Sequence, residues 1–238
     1  LFRLLPAALT LVVILVVALF TFRIAQPQAF TGPGFFDLHL SEQWLDDMES
    51  TQKMVTGETD YPPSDQWTDR TPIWYALKNM VLWGLGVPLG VAVWLSWGLV
   101  AYELFFRKKW QHLLPWVWMT LTFFYQSVQF VKTVRYMLPI YPTMALMAGY
   151  GLVYLCSRAK AFSIKCGGIK WPRVAAYGGV GIVVLGTLFY ALSFMSVYSQ
   201  PVTRITASRW IYDNIPDGSS ITYELWDDAL PLNIDGHN

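Results

Sequence analysis

The chain has 238 residues, of which 54% are hydrophobic, 16% aromatic and only 14% charged, with a formal net charge of +1. An ordinary soluble domain carries about a quarter charged residues; here the few charges are clumped between long stretches with none, so composition excludes a soluble globular enzyme and a nucleic-acid-binding domain and points to an all-α integral membrane protein. Cys156 and Cys166 alone exclude a disulfide framework and fall short of a zinc site, which needs more ligands at closer spacing.

A spanning helix needs about 20 mainly apolar residues, and five stretches qualify: 4–22, 80–102 (extending back towards Ile73), 113–131, 137–155 and 174–197. The first lacks a small-residue cleavage site and is followed by Arg23, Gln26 and Pro27, which marks a retained span rather than a signal peptide. Trp and Tyr crowd the ends of the runs, as expected at headgroup level. Between the first two spans lies a loop over 24–72, too long for a plain connection. Within it Phe35 to Val55 predicts an amphipathic helix, with Phe36, Leu40, Trp44, Leu45 and Met48 at three- and four-residue steps, lying on the membrane surface. A polar, aromatic, proline-rich strip from Tyr61 to Pro72 follows. After the last span the chain changes character. Pro201 to Asn214 predicts a helix, Pro216-Asp217-Gly218 a turn, and Ser219 to Tyr223 a strand. The domains expected are therefore a transmembrane domain over 1–197 with its outer loop, and over 198–238 the beginning of an α/β extracytoplasmic domain. The opening Leu-Phe-Arg and the unfinished tail suggest a piece of a longer protein.

The loops divide by charge. Arg107, Lys108 and Lys109 occupy 104–112, and Arg158, Lys160, Lys165, Lys170 and Arg173 occupy 156–173, with no acid in either loop. Residues 23–78 carry nine acids against four bases, and 198–238 six against two. The Lys and Arg bias predicts cytoplasmic basic loops, hence a multi-pass protein of the plasma (inner) membrane with its amino end inside and its tail outside.

The run Arg135-Tyr136-Met137-Leu138-Pro139-Ile140-Tyr141-Pro142 puts a cation, two phenols and two prolines where one span should end and the next begin. Ionisable residues at membrane depth are expensive and mark functional sites by default, and paired prolines break the helical ladder. A guanidinium offers a two-pronged fork to phosphate oxygens and a phenol adds a donor, so Arg135, Tyr136 and Tyr141 are candidates for holding a lipid-linked phosphate. The same residues also suit an interfacial anchor. Arg70, Lys53 and Lys78 are candidates for a cationic rim, or for ion pairs with the loop acids. Asp46 and Asp47 read as an exposed helix face or as a base or cation ligand. Gln126 and Gln129 suit interhelical hydrogen bonds. His39, His112 and His237 build no metal constellation, so a divalent cofactor has no visible ligand set. The glycines at 84, 86, 90, 178, 179, 181 and 186 suit close helix packing.

The Arg135–Pro142 run is similar to the Arg-Tyr-x-x-Pro-x-x-Pro turn of the GT-C superfamily, membrane glycosyltransferases that use lipid-linked sugars, nearest to bacterial relatives of the protein mannosyltransferases and of the aminoarabinose transferase acting on lipid A. Asp65-Gln66-Trp67-Thr68-Asp69-Arg70-Thr71-Pro72, with Trp83-Gly84-Leu85-Gly86 after it, looks like the entry into their middle helices, and Arg209 to Gly218 like the start of their soluble domain. The resemblance implies a transferase moving a sugar from a polyprenyl phosphate to an acceptor on the outer side, with membrane lipid and a polyprenyl-phosphate sugar as partners. The family's catalytic acid lies in the first outer loop; the surroundings of Asp46-Asp47 match a later one, which implies that the catalytic loop precedes Leu1. Two other classes compete: a non-catalytic subunit of a larger membrane complex, and a transporter, which the absence of an internal repeat disfavours.

Overall fold

The structure is a computed structural model and describes residues 4–59, 62–166, 168, 170–223, 229–234 and 236; Tyr61 and His237, named above, lie outside them. Two compact units divide the chain, Leu1–Thr68 and Asp69–Asn238.

In the first unit α1 (Leu4–Ala25) is one continuous helix. Its last turn carries Arg23, where a cation suits the negative end of the helix dipole. Arg23 is 6% exposed; its Nη2 donates to the carbonyls of Gly32 and Gly34, each at 2.8 Å, and its guanidinium lies over Phe30. The bonds fold the following loop back onto the helix, where Phe20 stacks on Phe35 and Phe22 meets Phe30 and Trp44 edge-on. The helix expected from Phe35 begins only at Glu42: α2 spans Glu42–Thr56 and closes on Gly57 in the left-handed region, φ 82°. Upstream, Asp37 accepts a bond from the His39 backbone N–H at 3.2 Å, a local alternative to the helical ladder, and Phe30 bridges to Leu40. Phe36 and Leu40 therefore leave the predicted helical face, although Phe36, edge-on to Phe20, and Trp44, edge-on to Phe22, both still meet α1.

In the second unit α3 (Trp74–Asn79) passes into a π-helical turn over Met80–Gly84, and the chain breaks at Leu85–Gly86 before α4 (Val87–Arg107). The single span expected over 80–102 is thus interrupted. Gly86 has φ 75°, open to glycine at little cost, and Pro88 opens α4 where no N–H is needed. α5 (Leu113–Val128) returns antiparallel to α4: Trp97 stacks on Trp116, Trp94 meets Phe123, and Trp97 Nε1 donates to Thr120 Oγ1 at 2.9 Å. An extended stretch and a 3-10 turn over Val134–Ile140 lead into α6 (Tyr141–Lys165), and α7 (Trp171–Ser196) follows. The predicted break at Pro139 and Pro142 is milder than expected. Pro139 sits in the 3-10 turn, Pro142 in the first turn of α6, and the chain runs from one to the other without a loop.

Tight contacts set the packing. A Cβ on Gly151 would collide with Ser96, and one on Gly186 with Pro88. Together with the contact of Gly84 and Tyr141, these run α6 parallel and α7 antiparallel to α4. The core is built on Met80, Phe123, Met137, Ile140 and Met144.

The fold is all-helical among the described residues, and four of its helices, α1, α4, α6 and α7, are long and apolar enough to cross a membrane. α5, expected as a further span, has 16 residues, or about 24 Å at 1.5 Å per residue, against a hydrocarbon core of about 30 Å. The tail forms α8 (Thr203–Asn214) as expected, and the buried Ser208 hydroxyl accepts from the Leu232 N–H at 2.8 Å. The expected strand Ser219–Tyr223 is exposed and irregular; no strand partner stands beside it among the described residues, and a lone strand leaves its backbone groups unpaired. Among the described residues, the expected helix and strand are corrected to a helix followed by an irregular extension.

Candidate functional site

The second unit has two dissimilar ends. At one, which we call the broken end, the π turn, the start of α3, the end of α5 and the Val134–Ile140 turn meet. Its backbone is held by side chains from two other helices. Tyr190 of α7 donates to the Trp83 carbonyl at 2.6 Å, and its ring occupies the space that a Cβ on Gly86 would take. The Tyr141 hydroxyl lies against Gly84, buried and without a hydrogen-bond partner among the described residues. π turns recur at functional sites, and interrupted helices at membrane depth are tolerated where they are packed in protein or line a cavity.

Ile73 adds strain. It has φ 63° and ψ −57°, and the Trp74 N–H donates back to the Pro72 carbonyl at 2.6 Å, a γ-turn of the rare positive-φ kind. For a β-branched residue this conformation is an outlier. The Ile73 N–H donates to the Ser127 carbonyl at 3.2 Å, which fixes the start of α3 to the end of α5.

From Ile73 an apolar groove of about 650 Å³ runs between α3, the π turn, α4 and α5. Trp74, Leu82, Trp94 and Phe124 are among its walls, and Lys78 is its one charged lining residue among those described. Lys78 is exposed. Arg70, earlier in the same unit, holds its guanidinium 5.6 Å from the centre of the Tyr75 ring. Lys53 belongs to the first unit and pairs with Glu49 one helical turn away at 2.6 Å, which holds its ammonium above the usual lysine value. Of the three rim candidates, the second unit therefore holds Arg70 and Lys78.

Arg135 is exposed on the 3-10 turn, its guanidinium 5.9 Å from the Tyr136 ring centre, and it has no carboxylate partner among the described residues. Three residues before it stands Lys132, a residue the sequence reading passed over. It is 6% exposed, its Nζ donates among the described residues only to the Phe130 carbonyl at 3.2 Å, and burial pushes its ammonium below the usual lysine value. The signal was present: Lys132 and Arg135 are the only Asp, Glu, Lys or Arg residues between Lys109 and Arg158. The break at 80–86 was also legible in Gly84, Gly86 and Pro88. Gln126 is half-buried near the end of α5.

The opposite, basic end is built on Glu103, fully buried near the end of α4 and likewise absent from the sequence reading. Lys109 Nζ donates to Glu103 Oε1 at 2.7 Å, and the Tyr150 hydroxyl of α6 donates to Oε2. Arg107 lies 3.9 Å and His112 3.7 Å from the same carboxylate, and the His112 ring packs on Tyr150. The Glu103 bond holds the Lys109 ammonium above the usual lysine value. The parallel run of α4 and α6 brings both acid-free basic loops to this end.

No protein-family model matches the chain, nor does a curated protein or a solved structure.

Proposed function

We propose that this chain is the membrane portion of a glycosyltransferase that moves a sugar from a polyprenyl phosphate to an acceptor, and that the broken end holds the donor. Two observations at this end carry the reading: Lys132 and Arg135, which have no carboxylate partner among the described residues, and an apolar groove with Lys78 in its wall. An isoprenoid chain suits the groove, and its phosphate suits the Arg135 fork with the Tyr136 hydroxyl beside it. Tyr141 presents a buried hydroxyl with no partner among the described residues, and Lys78 with Arg70 supplies the rim. In this reading α5 completes a fifth crossing, the basic loops face the cytoplasm, and the tail lies outside in the plasma (inner) membrane. Donors fixed in place before the phosphate departs stabilise the charge it gains.

Arg135→Ala removes one charge-assisted contact, about 1.5–3 kcal/mol, so sugar transfer by the full-length protein is expected to fall roughly ten- to hundredfold. Arg135→Lys restores part of that, because it keeps the charge and loses the fork. A normal transfer rate in the Ala variant overturns the reading. It would favour a non-catalytic subunit of a membrane complex, a role that the packing of Tyr141 against Gly84 also suits.

A further inference from the structure

The turn between α6 and α7 at the basic end carries a second, separate feature. A groove of about 440 Å³ lies between the last turns of α6 and the first turns of α7, walled by Leu155, Ala159, Phe162, Pro172 and Ala176, with Arg158 as its charged lining residue. Arg158 Nε donates to the Tyr154 hydroxyl of its own helix at 2.9 Å and has no carboxylate partner among the described residues. Arg173, next to the lining residue Pro172, has a buried Nε without a hydrogen-bond partner. Lys160 near the end of α6 and Lys170 just before α7 belong to the same acid-free stretch, 156–173. The nearest carboxylate in the sequence on the α6 side is Glu103, and it is engaged by Lys109 and Tyr150.

A slot with apolar walls at the end of an apolar helix pair, with one arginine in its wall and a second next to its lining residue Pro172, is complementary to one kind of molecule. We propose that this groove binds an anionic phospholipid, one acyl chain against Ala159 and Phe162 and the phosphate on Arg158 and Arg173. The charge complementarity fixes the occupant. A zwitterionic lipid carries its own cation and would bring it against the arginines, whereas an anionic headgroup leaves the phosphate and a net charge for them. The exposed Trp171 at the start of α7 suits the headgroup level of such a site. The inference is independent of the reading of the broken end, since no residue is shared.

The test is native mass spectrometry of the purified chain titrated in detergent with phosphatidylglycerol or phosphatidylcholine. The wild-type chain is expected to retain one phosphatidylglycerol at concentrations where phosphatidylcholine is lost. Arg158→Gln and Arg173→Gln are each expected to weaken retention about five- to tenfold, on the scale of one basic residue at a lipid surface. Lys108→Gln, which removes the same charge from the other basic loop, should leave it unchanged. Ala159→Trp fills the groove without changing charge and should abolish the bound lipid while far-ultraviolet circular dichroism stays that of the wild type. Equal retention of phosphatidylcholine, an equal loss with Lys108→Gln, or full retention in Ala159→Trp would each overturn the site.

Discussion

The two ends of the second unit handle charge in opposite ways. At the basic end the helices are continuous, and the buried Glu103 carboxylate is matched by Lys109 and Tyr150, so three stretches of chain are tied at one point. At the broken end the backbone is interrupted, Ile73 is strained, and Lys132 and Arg135 have no carboxylate partner among the described residues. A buried charge that is paired is a clasp. One that is left over stands ready for a ligand. The contrast separates the residues that hold this unit together from those with binding capacity to spare.

The contrast breaks most visibly if the clasp is removed. Glu103→Ala leaves a void beside Tyr150 and takes the partner from Lys109, whose side chain is 36% exposed and can turn to solvent; the cost therefore falls below the ~3–5 kcal/mol of a fully buried pair, yet thermal unfolding in detergent should show the largest loss of melting temperature among these variants. An unchanged melting temperature would mean that the basic end is held by packing alone. Next in size is Gly84→Ala, whose new methyl collides with the Tyr141 hydroxyl; overpacking of this kind costs about 1–3 kcal/mol. The double variant Gly84→Ala, Tyr141→Phe should recover most of the lost stability, because it deletes the atom in collision. Failure of that rescue would place the constraint in the π turn's backbone rather than in the tyrosine.

The smallest effect is the sharpest for the broken end. Lys132 titrates below its ordinary value of 10.5 because it is buried. Between its lowered value and 10.5 the unfolded chain binds more protons at this site than the folded one, so stability rises with pH across that window. At lower pH the folded state keeps an ammonium it disfavours. Lys132→Met should be more stable than wild type at neutral pH and lose that slope, as read from melting temperature against pH. A less stable methionine variant would mean that the ammonium is matched after all, and that the broken end has one spare cation fewer.

Much of the bundle was legible in hydropathy, because a spanning helix must satisfy its backbone internally and its side chains in lipid, and both demands are written as long apolar runs. α1, α6, α7 and α8 begin or end within a few residues of their expected limits. What was not legible depends on contacts distant in sequence. The interruption at 80–86 shows locally in Gly84, Gly86 and Pro88, but the contact that stabilises it comes from Tyr190, 107 residues from Trp83, which no local window contains. The late start of α2 turns on one aspartate bonding its own neighbourhood, which hydrophobic periodicity does not register. Of the site, Arg135 stood out by type and position. Lys132 shares its isolation from other charges, and only its burial was hidden, whereas Glu103 stands beside a basic loop as an ordinary charge that burial alone distinguishes.

Helix α7 bears on how this protein is made. In its most apolar 18-residue stretch, with a mean hydropathy of 2.1, no residue is buried inside the protein, whereas the corresponding stretches of α4 and α6, at 1.6 and 1.3, are 39% and 28% buried. The most apolar of the three is the one that leans least on its neighbours. During synthesis α7 can partition into lipid by itself, while α4 and α6 carry Glu103, Tyr150 and the small residues that need companions. Five residues separate α6 from α7, so entry of α7 draws the marginal α6 in with it as a hairpin. Assembly then runs backwards along the chain, the later helix completing the insertion of the earlier one.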